Sequence, residues 1–170
     1  LLGLFSACRE TVPSASKEEG ILEFDTKGVN PKHPLFGLAP TSATLKFKAQ
    51  KFSIEMSIMG IFNTTILADN EKKTVAQTVK FLDIKQACVE TYSAIAAENE
   101  QYALDIEETS ETKEMIGFVC HKAIATKRSD PAQKFDVWYT TELGTENCNA
   151  LTPYHNIKGM LLDYRVERMG

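Results

Sequence analysis

Residues 43–58 read ATLKFKAQKFSIEMSI, and their alternation decides the fold. Ala43, Leu45, Phe47 and Ala49 take one side of an extended chain, with Thr44, Lys46 and Lys48 on the other. Phe52, Ile54, Met56 and Ile58 then alternate with Ser53, Glu55 and Ser57. Successive strand side chains point to opposite faces, so each run is a half-buried strand with one wet face. The link Ala49-Gln50-Lys51 is short, which makes the pair a hairpin.

The same signal continues in both directions. It begins near Gly20 and, after a break at Met59-Gly60, resumes over Phe62, Thr64, Ile66 and Ala68. A turn at Ala68–Glu71 leads to Val75, Gln77, Val79 and Phe81, and then to Ala87, Val89 and Thr91. Ser93–Gln101 (SAIAAENEQ) is Ala- and Glu-rich and reads as a helix of about two turns. Strands are expected again at Leu104–Glu107, Met115–Thr126, Phe135–Thr140 and Gly159–Val166, with Asp130-Pro131 marking a turn. Thr141–Lys158 is long, polar and irregular, the profile of a functional loop. Glu167–Gly170 reads as the start of a further turn, so a final strand beyond it is expected. About ten strands joined by short turns, without strand–helix–strand alternation, predict a mainly β domain over 20–170. The expected form is one antiparallel sheet that curls or half-closes into a barrel, with the short helix or the long loop as a lid.

At 43% hydrophobic and 25% charged, the 170-residue chain has the composition of one globular domain. Nineteen basic residues are scattered among 23 acidic ones, so the concentrated positive patch that nucleic acid requires is missing. No stretch approaches the roughly 20 apolar residues of a membrane-spanning helix. Phosphate-binding loops, HExxH and CxxC pairs are also missing, and neither a cofactor nor a metal is expected.

The chain opens LLGLFSACRE. Leu1–Cys8 is an apolar run closed by small residues and a cysteine, and it resembles the lipobox that ends a bacterial lipoprotein signal peptide. The resemblance implies lipidation of Cys8; an N-terminal strand or a partly buried apolar segment is the competing reading. The upstream part of the leader is then expected to be cut from the sequence. Residues 9–19 are small, polar and Pro-containing, a tether rather than a core element. The expected address is the outer membrane, with the domain held in the periplasm by a lipid anchor.

Three further cysteines are Cys88, Cys120 and Cys148. Their wide spacing fits no zinc motif. They read as small buried hydrophobes, with Cys120 and Cys148 the pair for any disulfide in an oxidising compartment. Cys120 and His121 point to opposite faces of a strand and cannot share a ligand. His155 approaches Cys148 through the loop without a third polar group to orient it. Glu18-Glu19, Glu98 with Glu100, and Glu107-Glu108 read as solvated positions. Catalysis is therefore not expected.

The stripe Leu45, Phe47, Phe52, Ile54, Met56, Ile58 and Phe62 is the candidate lining for a greasy ligand, though a dry core gives the same alternation. Trp138 and Tyr139, on opposite faces of one strand, are further lining candidates.

The segment Glu111–Ala123 (ETKEMIGFVCHKA), the strand Val137-Trp138-Tyr139-Thr140 and the block Ile157–Leu162 (IKGMLL) occur in an order that resembles periplasmic and outer-membrane proteins of the GLPGLI type. Lys158 stands where that type carries proline, so the likeness is to a sister family. It implies a fold similar to the lipoprotein carriers LolA and LolB, in which a half-closed barrel holds acyl chains. The function expected from these features is non-catalytic binding of an acyl chain or lipid. The alternative is a filled barrel that serves as an interaction module for another envelope protein. An apolar cavity of at least about 300 Å³ favours the first reading, and a packed interior with an apolar patch outside favours the second.

Overall fold

The computed structural model describes residues 19–33, 36–58, 61–145 and 147–166. Cys8, nearly all of the tether and the expected turn at 167–170 lie outside the described residues. The fold is mainly β, as the alternation predicts, but it is built from two antiparallel sheets rather than one.

The first sheet is an up-and-down run of six strands: β1 (Glu19–Asp25), β2 (Ser42–Lys48), β3 (Lys51–Ile58), β4 (Phe62–Asp69), β5 (Thr74–Phe81) and β6 (Ile84–Thr91). The hairpin read from residues 43–58 is present, with Ala43 opposite Met56 and Lys48 opposite Lys51. After β6 the chain enters a helix, α1 (Tyr92–Glu100). The second sheet follows with β7 (Leu104–Met115), β8 (Phe118–Lys127), β9 (Asp130–Thr140) and β10 (Met160–Asp163), in the order β10-β9-β8-β7.

Neither sheet is closed or strongly curled, which corrects the expectation of a single half-closed sheet. The cause is α1. A tight turn would set β7 in register on β6, but a nine-residue helix separates them and both stay edge strands. The helix is pinned by Ile95, which is fully buried against Val75 and Leu151.

A second correction concerns Met115–Thr126, which is not one strand. The chain reverses at Ile116 (φ 46°) and Gly117 (φ 85°), both in the left-handed region used by two-residue hairpin turns. A β-branched residue there is a genuine outlier.

The core forms between the sheets. Leu45, Phe47 and Phe52 of the first sheet pack with Cys120, Trp138, Met160 and Leu162 of the second, and Leu143 joins them. The opposite face of the second sheet is also covered. Ala123, Ala125, Val137, Tyr139 and Leu161 lie under Tyr154 and Ile157 of the 141–159 segment. Burial on both faces explains why β8 and β9 lack the clean alternation of β2 and β3.

The 141–159 segment therefore works as a plug and not as a lid over a cavity. Leu143, Leu151, Tyr154 and Ile157 are all buried. Asn149, itself buried, donates from Nδ2 to the carbonyls of Ile157 (2.9 Å) and Gly159 (2.8 Å), which ties the segment to its own exit. Gly159 has φ 152°, and a Cβ there would lie 2.6 Å from the Thr140 carbonyl oxygen. Gly159→Ala is expected to destabilise the domain by about 2 kcal/mol or more, because the obstacle is backbone of the adjoining strand. Urea denaturation of the two proteins checks this.

Candidate functional site

Directly paired residues on neighbouring strands share a face, so the register sorts the lining candidates into rows. One row of the first sheet is Phe47, Phe52, Ala68 and Val75, and the next is Leu45, Ile54, Ile66, Gln77 and Cys88. Then come Met56, Thr64, Val79 and Gln86, and last Ile58, Phe62, Phe81 and Ile84. All lie on the face that meets the second sheet.

Cover differs along that face. Leu45, Phe47 and Phe52 are buried in the inter-sheet core. Ile54, Met56, Ile58 and Phe62 are only partly buried. Phe81 is 49% exposed and Ile84 62% exposed. The stripe thus runs from a packed core at one end to a partly exposed apolar strip at the other, across β3 to β6. At about 4.8 Å per strand the strip is about 14 Å wide.

Trp138 and Tyr139 are both buried, on opposite faces of β9 as their adjacency requires. Lys113 Nζ lies 3.9 Å from the centre of the Trp138 ring. Tyr139 donates from its hydroxyl to Glu108 Oε1 at 3.2 Å and packs beside the His121 ring. Burial, and next the Glu108 carboxylate, push its phenol above the ordinary range. Both rings belong to the packed interior.

Cys120 and Cys148, the pair read for any disulfide, are free thiols in the structure. Both pack in the inter-sheet cluster, but each is engaged elsewhere. The Cys148 thiol donates to the Gly159 carbonyl at 3.0 Å and that of Cys120 to the Phe118 carbonyl. Burial pushes the Cys148 thiol up to about 11, which keeps it neutral and unreactive at neutral pH. Cys88 is exposed on β6.

Two open depressions accompany these features. One, of about 430 Å³, lies against Lys46, Lys48, Lys51, Leu67 and Ala76 on the face of the first sheet that points away from the core. Carboxylates pair all three of its lysines, Lys46 with Glu55, Lys48 with Glu19 and Lys51 with Asp69. The other, of about 400 Å³, lies along the ends of β1 and β2 and includes Glu23 and Asp25. Neither is an apolar chamber between the sheets. Among the described residues no group of three His, Cys, Asp or Glu side chains is placed to hold a metal. No helix among them is long and apolar enough to cross a membrane.

Sequence reasoning placed the stripe but missed its continuation onto Val79, Phe81 and Ile84. Phe81 was legible as the end of a strand, but its fellowship with Ile58 and Phe62 comes only from the register of β3 to β5. Compared with protein-family models, with curated proteins and with solved structures, the chain matches none.

Thiol chemistry provides a direct check. In the Cys8→Ser chain, a thiol reagent at pH 8 is expected to modify Cys88 rapidly. Cys120 and Cys148 should react only after denaturant is added, because burial lowers both access and thiolate fraction.

Proposed function

We propose that this is a non-catalytic binding protein of the cell envelope, tethered through Cys8 at the outer membrane, which holds a hydrophobic ligand such as an acyl chain. The observation that carries the reading is the apolar strip of partly buried Ile58 and Phe62 and exposed Phe81 and Ile84, with partly buried Met56 and Val79 beside it. Contiguous exposed apolar surface of this kind marks a binding surface. The strip holds aliphatic and phenyl groups and a methionine, and it has no charged side chain to orient a polar substrate.

The proposed mode differs from the enclosed chamber of a barrel. Core residues fill the space at the Phe47–Phe52 end, so the ligand lies along the open end of the sheet face. The kinship with LolA-like carriers and with the GLPGLI type remains part of this proposal. It rests on the sequence blocks Glu111–Ala123, Val137–Thr140 and Ile157–Leu162.

One observation favours the alternative of an envelope protein partner. Seven of the eight residues of β6 are exposed, and its outer edge has neither proline nor bulge to block an added strand.

Native mass spectrometry of the Cys8→Ser chain purified from a periplasm, with solvent extraction of the same sample, separates the readings. A stoichiometric acyl lipid is expected. Phe62→Asp is expected to abolish it while costing less stability than Phe52→Ala, which removes a core ring at about 3–5 kcal/mol. A lipid-free mass that added fatty acids and phospholipids leave unchanged would overturn the ligand reading.

A further inference from the structure

The up-and-down strand order gathers the β1–β2, β3–β4 and β5–β6 links at one end of the six-stranded sheet. Apolar side chains stand out from these links. Ile61 is 47% exposed, Leu82 58% and Val29 60%, while Phe36 covers Gly28 and still leaves 41% of its own surface open. The Leu82 N–H donates to the Ile61 carbonyl at 3.0 Å, which holds two of the turns side by side. Leu82 has φ 52°, a conformation that turns ordinarily give to Gly, Asn or Asp. Packing does not explain a leucine there, since most of its surface is in water.

The charges at this end form a second, independent pattern. Lys80 and Lys85 are direct cross-strand partners, a like-charge pair on an exposed face. Among the described residues, no ion pair holds either of them, nor Lys27 or Lys32 in the connection. Within the strands of the same sheet, Lys46, Lys48 and Lys51 all meet carboxylates. The acidic residues of this end are Glu23, Asp25 and Asp83. Four lysines against three carboxylates leave it slightly positive, on a chain of net charge -4.

We propose that this end of the sheet docks on an anionic lipid bilayer. Ile61, Phe81, Leu82 and Ile84 enter the boundary between headgroups and acyl chains, and Lys27, Lys32, Lys80 and Lys85 meet lipid phosphates. Lysine suits this placement because its stem lies on apolar surface while its ammonium reaches the phosphate layer. The docking stands without the ligand reading. If both hold, the docked end opens the apolar strip directly onto the membrane.

The test uses the full chain with Cys8→Ser, so that no acyl anchor contributes, in co-sedimentation with vesicles. Wild type is expected to sediment with phosphatidylcholine vesicles containing about one third phosphatidylglycerol and to be released as salt shortens the screening length. Ile61→Asp with Leu82→Asp is expected to weaken binding by about tenfold or more. Lys80→Glu with Lys85→Glu should weaken it comparably and flatten the salt dependence. Leu82→Gly removes the apolar side chain while relieving the backbone, so binding should fall while the melting temperature holds or rises. The proposal is overturned if wild type stays in the supernatant, as it would were this end a protein-docking site. It is equally overturned if the turn variants sediment like wild type, or if pure phosphatidylcholine binds as well as the anionic vesicles. Ligand loading is read separately by native mass spectrometry, so failure of one reading is distinguishable from failure of the other.

Discussion

The contact of Trp138 and its neighbours with Leu45, Phe47 and Phe52 is the constraint from which the rest of the structure follows. Two open antiparallel sheets each present an apolar face that is unstable in water. Their union removes that problem for one end of the first sheet and leaves the other end unsolved. The second sheet has four strands against six, and its last strand is four residues long. It covers the Phe47–Phe52 row and stops short of the Phe62–Phe81 row. The 141–159 segment and Ile95 of α1 fill in near Val75, so their apolar groups extend cover at the end that is already packed. Among the described residues, the strip at Ile58, Phe62, Phe81 and Ile84 is left only partly covered.

Legibility in the sequence followed burial on one face or two. Strands β2 and β3 have one wet face, so Lys46, Lys48, Glu55 and Ser57 punctuate their apolar residues and the period shows. Strands β8 and β9 are covered on both faces, and Ala123, Ala125, Val137 and Trp138 carry no such punctuation. The turn at Ile116-Gly117 was hidden for a related reason. It lies within a run of apolar residues, and its first turn residue is β-branched where a polar one would advertise the reversal. The separation into two sheets was not legible because a short helix between strands does not reveal whether the flanking strands pair.

The candidate site divides along the same line. The stripe from Leu45 to Phe62 was readable as one face, but its halves look alike in sequence. Phe52 and Phe62 occupy equivalent places in their alternations, yet one is core and the other borders solvent. What separates them is distant chain: Trp138, Met160 and Leu162 pack in the cluster of Phe52, and among the described residues no such cluster includes Phe81. The plug was misleading for another reason. Its composition is polar, yet four irregularly spaced apolar residues and one asparagine determine its behaviour.

The plug also bears on how any ligand reaches the face it binds. A lid must open at small cost, because mobile elements come from the least stable parts of a fold. Lifting the 141–159 segment would expose Leu143, Leu151, Tyr154 and Ile157, at about 1.5–3 kcal/mol for each large apolar side chain. It would also break both hydrogen bonds that Asn149 donates. The sum, about 6–12 kcal/mol, is comparable to the whole stability of a domain this size, about 5–15 kcal/mol. Opening there is close to unfolding. For the proposed ligand, access would come at the opposite end of the first sheet, where Phe81 and Ile84 are exposed and no packed segment among the described residues has to move.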